Sequence, residues 1–130
     1  GQAQRARAVA IAAGQNAPAV TAYDEPGVST VALLVEDLVA TRAWVRGVLR
    51  GLAADNENSA RLRETVRVYL AHNLSNVAAG KELDLHHNSV KYRVKRAAEV
   101  RGKDITGDRL AVELALLVCQ WLGPALLTSD

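Results

Sequence analysis

Between residues 87 and 96 the sequence places the side chains best suited to binding a ligand through hydrogen bonds and charge. The eight are His87, Asn88, Ser89, Lys91, Tyr92, Arg93, Lys95 and Arg96. Together they supply one imidazole, one amide, two hydroxyls and four cations. Amide and cationic side chains form the specific hydrogen bonds to base edges, and cations also neutralise phosphates. This combination therefore favours the recognition of double-stranded DNA.

The spacing of this segment separates an apolar side from a polar side. At about 100° per residue, one side of a helix starting at His87 carries Val90, Val94, Ala97 and Arg101. The opposite side carries Asn88, Tyr92, Lys95 and Glu99. Because the major groove admits an α-helix, we predict that base edges or phosphates are faced by Asn88, Ser89, Lys91, Tyr92 and Lys95. Arg93 and Arg96 are predicted to hold the DNA backbone, and His87 is a candidate reader of bases.

Basic charge is concentrated on the same stretch, although the whole chain has a formal net charge of only +2. From Lys81 to Lys103 there are seven basic and three acidic side chains, a local charge of +4, whereas residues 104–130 contain one basic and four acidic side chains. A phosphate-contacting surface requires such a concentration. An ordinary solvated helix face can also be charged, so the charge supports DNA binding only together with the spacing.

Other chemistries find less support in the sequence. The possible metal ligands His72, His86, His87 and Cys119 contain no close pair at ligand spacing on one helix face. No cofactor is predicted. The sequence contains no Gly-rich phosphate loop, no nucleophile beside a suitably positioned base and no carboxylate pair in an apolar setting. We therefore do not predict an enzyme. His86 is expected to cap or pack at the start of the helix.

Two short helical patterns position the polar face. Ser75 is a good N-cap for a helix over about residues 76–83, in which Val77, Gly80 and Leu83 fall at helical spacing. Asp84 and Leu85 form the turn before the second helix. Too few residues separate the two helices for them to lie side by side, which predicts a helix-turn-helix.

This region resembles the C-terminal helix-turn-helix of the PucR/CdaR family of bacterial transcriptional regulators. The residues that carry the resemblance are GKELDLHHNSVKYRVKRA followed by RGKDITGDRLAVELAL. The likeness is specific from Gly80 to Leu117 and extends in general layout from Tyr23 to Leu122. Three residues depart from the family pattern: Gly80 for a usual Ala, His87 for a usual Arg, and Ser89 for a usual Thr. Since Gly is unfavourable inside a helix, Gly80 is expected to mark a close helix–helix contact that still accepts the methyl group of the usual Ala.

The resemblance implies an all-α, multi-helix domain with a Fis-like helix-turn-helix unit, and it makes the chain a fragment of a larger regulator. Any effector would bind the missing N-terminal region. The Ala/Val/Leu-rich composition, with five aromatic residues and no Phe or Met, independently favours helices. A single cysteine and the lack of an apolar run of about 18 residues favour the cytoplasm and no membrane association.

The rest of the chain divides into predicted helices and loops. Arg5 to Ala13 is expected to be a short helix, and after a turn at residues 24–27 Ser29 is expected to cap the next. Thr41 is a candidate cap for a third helix. After a loop at residues 53–59, Asn58 or Ser59 is expected to start a helix that bears Arg63 and Arg67 on its outer side. Asp108 is expected to cap a helix that reaches about Gly123.

We therefore predict a remnant of a preceding sensory domain or linker at residues 1–23, a helical connector at 24–54, and the DNA-binding domain at 55–130. A homodimer is expected, with Trp121 and Leu122 of the last helix as the first choice of surface and the helices at Arg5–Ala13 and Val31–Leu38 as the second. The alternative for Trp121 is that it closes the core of the monomer. The alternative function is a helical protein–protein interaction module that pairs through that apolar helix.

Overall fold

The computed structural model describes residues 37–128. Within them five α-helices follow one another: α1 (Leu38–Leu49), α2 (Glu57–Ala71), α3 (Asn76–Leu83), α4 (His87–Arg101) and α5 (Arg109–Leu122). Short 3-10 turns follow α1 at Arg50–Ala53 and α5 at Gly123–Leu126. In this part of the chain extended pairing is limited to one isolated bridge between Ala54 and Thr128. The predicted all-α fold is confirmed.

The elements predicted near Arg5–Ala13, at residues 24–27 and at Ser29 lie outside the described residues, as does the proposed remnant at residues 1–23.

Two helix starts differ from the predictions. Asp37 caps α1, its carboxylate accepting the N–H of Ala40 at 2.9 Å, so the predicted cap Thr41 lies inside the helix and is buried. Asn56 caps α2 by accepting the N–H of Ser59 at 2.8 Å, two residues before the earlier of the predicted starts. In both cases a cap further upstream satisfies the free N–H groups of the first turn.

The main core lies between α1, α2 and α5. It contains Val45 and Leu49 from α1, Leu62 and Val66 from α2, and a large group from α5. That group is Val112, Ala115, Leu116, Val118, Cys119 and Leu122. Leu52 and Ala53 of the first 3-10 turn are also fully buried. Residues 38–53 thus share one core with residues 57–126.

Arginine side chains close several ends of this bundle by donating to backbone carbonyls. Arg63 donates to the carbonyls of Leu52 and Ala54 at 2.6 and 2.7 Å. Arg109 donates to the carbonyl of Leu70 at 2.9 Å, near the end of α2. The prediction that Arg63 points outward is wrong, because the 3-10 turn before α2 presents carbonyls that need a donor.

Candidate nucleic-acid interface

The helix-turn-helix consists of α3, a turn at residues 84–86, and α4. Ser75 caps α3 as predicted, accepting the N–H of Ala78 at 3.1 Å. Asp84 ends the helix in the left-handed conformation with a φ of 55°. The N–H of Leu85 then donates to the carbonyl of Gly80 at 2.8 Å, which folds the turn back onto α3. These contacts fix the direction in which the chain enters α4.

Gly80 is the closest point between α3 and this turn. A Cβ at position 80 would lie 2.5 Å from the carbonyl oxygen of Leu85, closer than real Cβ atoms approach. The prediction that Gly80 marks a close contact is confirmed, but its neighbour is the backbone of the turn. The expectation that Ala would fit there is contradicted by this distance.

A second, small core supports the helix-turn-helix. Val68 of α2, Ala79 of α3 and Val90 of α4 are buried together. Leu83, Leu85 and Val94 pack around them. The imidazole of His72 also lies 2.7 Å from a carboxylate oxygen of Glu82, linking the end of α2 to α3. The helix-turn-helix is therefore fixed on α2.

His86 begins α4 and acts structurally, as predicted. Its Nδ1 accepts the N–H of Asn88 at 3.1 Å, so this nitrogen is the unprotonated one. The ring of His87 lies beside that of His86, with centroids 4.1 Å apart. His87 itself is exposed on the first turn of α4.

The predicted DNA-contacting residues form the outer face of α4. Seven are exposed: His87, Asn88, Ser89, Lys91, Tyr92, Lys95 and Arg96. The eighth, Arg93, is half-buried. Tyr92 is 69% exposed, as expected of a side chain opposite Val90 and Val94. Within residues 37–128 none of the four cations among them pairs with a carboxylate, so their charge is available to a ligand.

Arg101 does not belong to that available charge. It is 2% exposed at the end of α4 and donates to the carbonyl of Val48 at 2.8 Å and to both carboxylate oxygens of Asp108. Its hydrogen bonds hold the pKa of Asp108 below the ordinary value. The local charge of +4 therefore overstates the positive charge of the interface. The position of Arg101 among the apolar residues of α4 was the sequence signal that this side chain is buried.

Asp108 stands at the predicted cap position of α5 but does not cap it. Its carboxylate is turned toward Arg101 instead, because a buried guanidinium requires a charged acceptor more than the helix requires a cap.

The other candidate chemistries are not assembled in the described part of the chain. There, no three His, Cys, Asp or Glu side chains are grouped to hold a metal ion. Cys119 is buried, and burial raises the pKa of its thiol to about 11. None of the five helices has the length and apolar character needed to cross a bilayer.

This fold, with an exposed cationic face on the second helix of a helix-turn-helix, defines a DNA-binding domain of the kind found in transcription regulators. Residues 62–118 match the family described as the PucR C-terminal helix-turn-helix domain, so the resemblance is confirmed over that segment.

Curated relatives match about half of the chain. The proline-responsive transcriptional activator PutR of Bacillus subtilis is 33% identical over 64 residues, which are 49% of this chain and 16% of PutR. The carbohydrate diacid regulator of Escherichia coli is 36% identical over 62 residues, 46% of this chain and 16% of that protein. An uncharacterized Thermomonospora curvata protein from the pkwA 5' region is 38% identical over 65 residues, 50% of this chain and 36% of that protein. No solved structure matches the chain.

Proposed function

We propose that α4 enters the major groove of an operator and that this domain gives a transcriptional regulator its sequence specificity. The observation that carries the proposal is the exposed row of polar side chains on α4, opposite the face that packs on α2 and α3. An exposed helix of this width fits the groove. Similarity to two regulators over about half of the chain adds support.

Within this proposal the roles follow from position along α4. Asn88 and His87 lie on the first turn, where the residues of such helices meet base edges, and Ser89 lies beside them. Lys91, Tyr92 and Lys95 face base edges or phosphates one and two turns later. Arg93 and Arg96 hold the phosphate backbone. Asn is suited to adenine, which accepts and donates at adjacent atoms in the major groove.

The experiment is a salt titration of DNA binding by the Lys91→Ala/Lys95→Ala variant. Affinity for DNA falls as salt is added, and the loss of two phosphate contacts makes this dependence of log K on log salt less steep by up to about two units for every DNA sequence. The matched control is Arg61→Ala, which removes an exposed cation from the far end of α2. An unchanged slope in the double variant, with the folded state intact, would contradict the docking of α4.

The alternative module, pairing with another protein through α5, predicts the opposite response to salt. Association of apolar faces holds or strengthens as a salt such as sulfate is added. The same titration therefore separates the two functions.

A further inference from the structure

A cleft of about 570 Å³ runs beside α4 and ends at the loop that follows it. Lys91 and Lys95 of α4 line one part of it, and Lys103 of the loop lines another. Val94, Ala98 and Ile105 also line the cleft and give it an apolar part. The fold thus brings a lysine from outside the helix to the side of the proposed reading face.

Lys103 is only loosely paired at this position. Its ammonium lies 3.6 Å from Asp108, but the same carboxylate already accepts two hydrogen bonds from Arg101. Two cations therefore share one anion. The Lys103 side chain is 49% exposed, so its ammonium can donate to a second anion without leaving this neighbourhood.

Two acids also line the cleft, and their surroundings decide where an anion can be placed. Asp104 uses one carboxylate oxygen to accept the N–H and the hydroxyl of Thr106 at 3.0 and 2.9 Å, within the loop itself. Glu99 is exposed one turn after Lys95. Glu99 lies between the Lys91 end of the cleft and the Lys103 end, so an anion can be placed at either end.

The position of the cleft on α4 relates it to one of the two DNA strands. Lys91 and Arg93 are two residues apart, which places them about 160° apart around the helix axis. A helix in the major groove, which is about 12 Å wide, has a phosphate backbone on each side. Side chains on opposite flanks of α4 therefore meet opposite strands.

We propose that this cleft follows one DNA strand, with Lys91 and Lys103 each donating to a phosphodiester group of that strand, while Arg93 and Arg96 contact the other strand. The proposal rests on the proposed function, because it requires α4 to lie in the groove. It adds a contact from the loop after α4 that the helical pattern does not contain.

The test combines Lys103→Ala in the 130-residue chain with DNA in which single phosphates are replaced, one at a time, by neutral methylphosphonates. The variant lowers the salt slope by about 0.9 for all sequences, the amount expected for one phosphate contact. At one DNA position the methylphosphonate weakens binding of the unchanged protein but not of Lys103→Ala. For Arg96→Ala the corresponding insensitive position lies on the opposite strand. Arg61→Ala changes neither the slope nor the pattern.

The fold is expected to survive this change, since Arg101 keeps its bonds to Asp108, and the unfolding midpoint of Lys103→Ala checks this. Two results would overturn the assignment of the cleft while leaving the docking of α4 in place. In the first, Lys103→Ala changes neither the salt slope nor the positions at which a methylphosphonate weakens binding. In the second, the position that loses its effect lies on the strand that Arg96 contacts. Salt-independent binding by the unchanged protein would instead overturn the proposed function itself.

Discussion

At the scale of single residues, Gly80 has the sharpest consequence for stability. Replacing Gly by Ala inside a helix ordinarily gains about 1 kcal/mol. At position 80 the new methyl group would meet the carbonyl oxygen of Leu85, and that backbone is held by the turn. We expect Gly80→Ala to lower the free energy of unfolding by about 1–3 kcal/mol, the cost of overpacking.

Gly47 provides the control for this measurement. It also lies inside a helix, but apart from the adjacent residues and the backbone of its own helix no atom is within 4 Å of the position its Cβ would take. Gly47→Ala should therefore raise the free energy of unfolding by up to about 1 kcal/mol. Denaturant unfolding of both variants decides the matter, and a Gly80→Ala protein as stable as the Gly47→Ala protein would show that the turn moves away freely.

Residue-level predictions from the sequence succeeded where helical angle alone decides the outcome. Tyr92 is exposed, as its angle opposite Val90 and Val94 predicted. Arg101 was included in the predicted basic surface although its angle places it with the apolar residues, and it is buried. Gly80 shows where such reasoning ends. Its neighbour is a carbonyl five residues later, across a turn whose left-handed residue is Asp84. Helical spacing contains no information about that path.

At the scale of elements, the pair formed by Arg101 and Asp108 joins α4 to the start of α5. Replacing Asp108 by Asn leaves a guanidinium side chain that is 1% exposed without its carboxylate. Removing one partner of a buried pair costs about 3 kcal/mol or more. We expect Asp108→Asn to lose that much at neutral pH, measured by denaturant unfolding. Lys103→Ala, which removes only the more distant cation, should change stability little.

The same pair predicts how stability depends on pH. Hydrogen bonds from Arg101 lower the pKa of Asp108 below its ordinary 3.8 in the folded state. Its stabilisation is therefore complete above about pH 3.8 and is lost as the pH falls through the folded pKa. The Asn variant lacks this titration and should lose less stability on acidification. Asp104, whose pKa is lowered by hydrogen bonds from Thr106, continues to titrate in both proteins.

The first helix and its 3-10 turn are essential elements of the bundle. Val45, Leu49 and Leu52 are fully buried against α2 and α5. Each buried side chain of this size stabilises by about 1.5–3 kcal/mol, and their sum is comparable to the whole stability of a small domain. We expect a fragment that begins at residue 55 to lack cooperative unfolding, whereas residues 37–128 fold. Thermal unfolding followed by circular dichroism compares the two, and a cooperative transition in the shorter fragment would support a separate domain from residue 55.

At the scale of the whole molecule, the family resemblance and the composition predicted the all-α fold, and periodicity predicted the order of the helices within residues 37–128. It could not predict which helices share a core. The division at residue 54 follows a polar stretch in the sequence, yet Arg63 reaches back across that stretch to two carbonyls. A loop rich in polar residues marks a change of direction, and only the packing shows whether a domain ends there.

The last prediction is a homodimer, which a single reading helix requires in order to select two half-sites about one helical turn apart. The first-choice surface needs one correction, because Leu122 is fully buried within the bundle. The side of α5 that is not fully buried instead carries Leu110, Leu114, Leu117 and Trp121 at the alternating spacings of four, three and four residues. Two-helix seams have this spacing.

Leu110 gives the cleanest variant, since it is 70% exposed and Leu110→Glu leaves the core untouched. The partly buried Trp121 packs against the core, so its replacement would also destabilise the monomer. We expect the 130-residue chain to sediment as a dimer at high concentration and Leu110→Glu to shift it to monomer. Val39→Glu, on an equally exposed position of α1, is the control and should remain dimeric. Monomers at every concentration in the unchanged chain would remove α5 as a pairing surface.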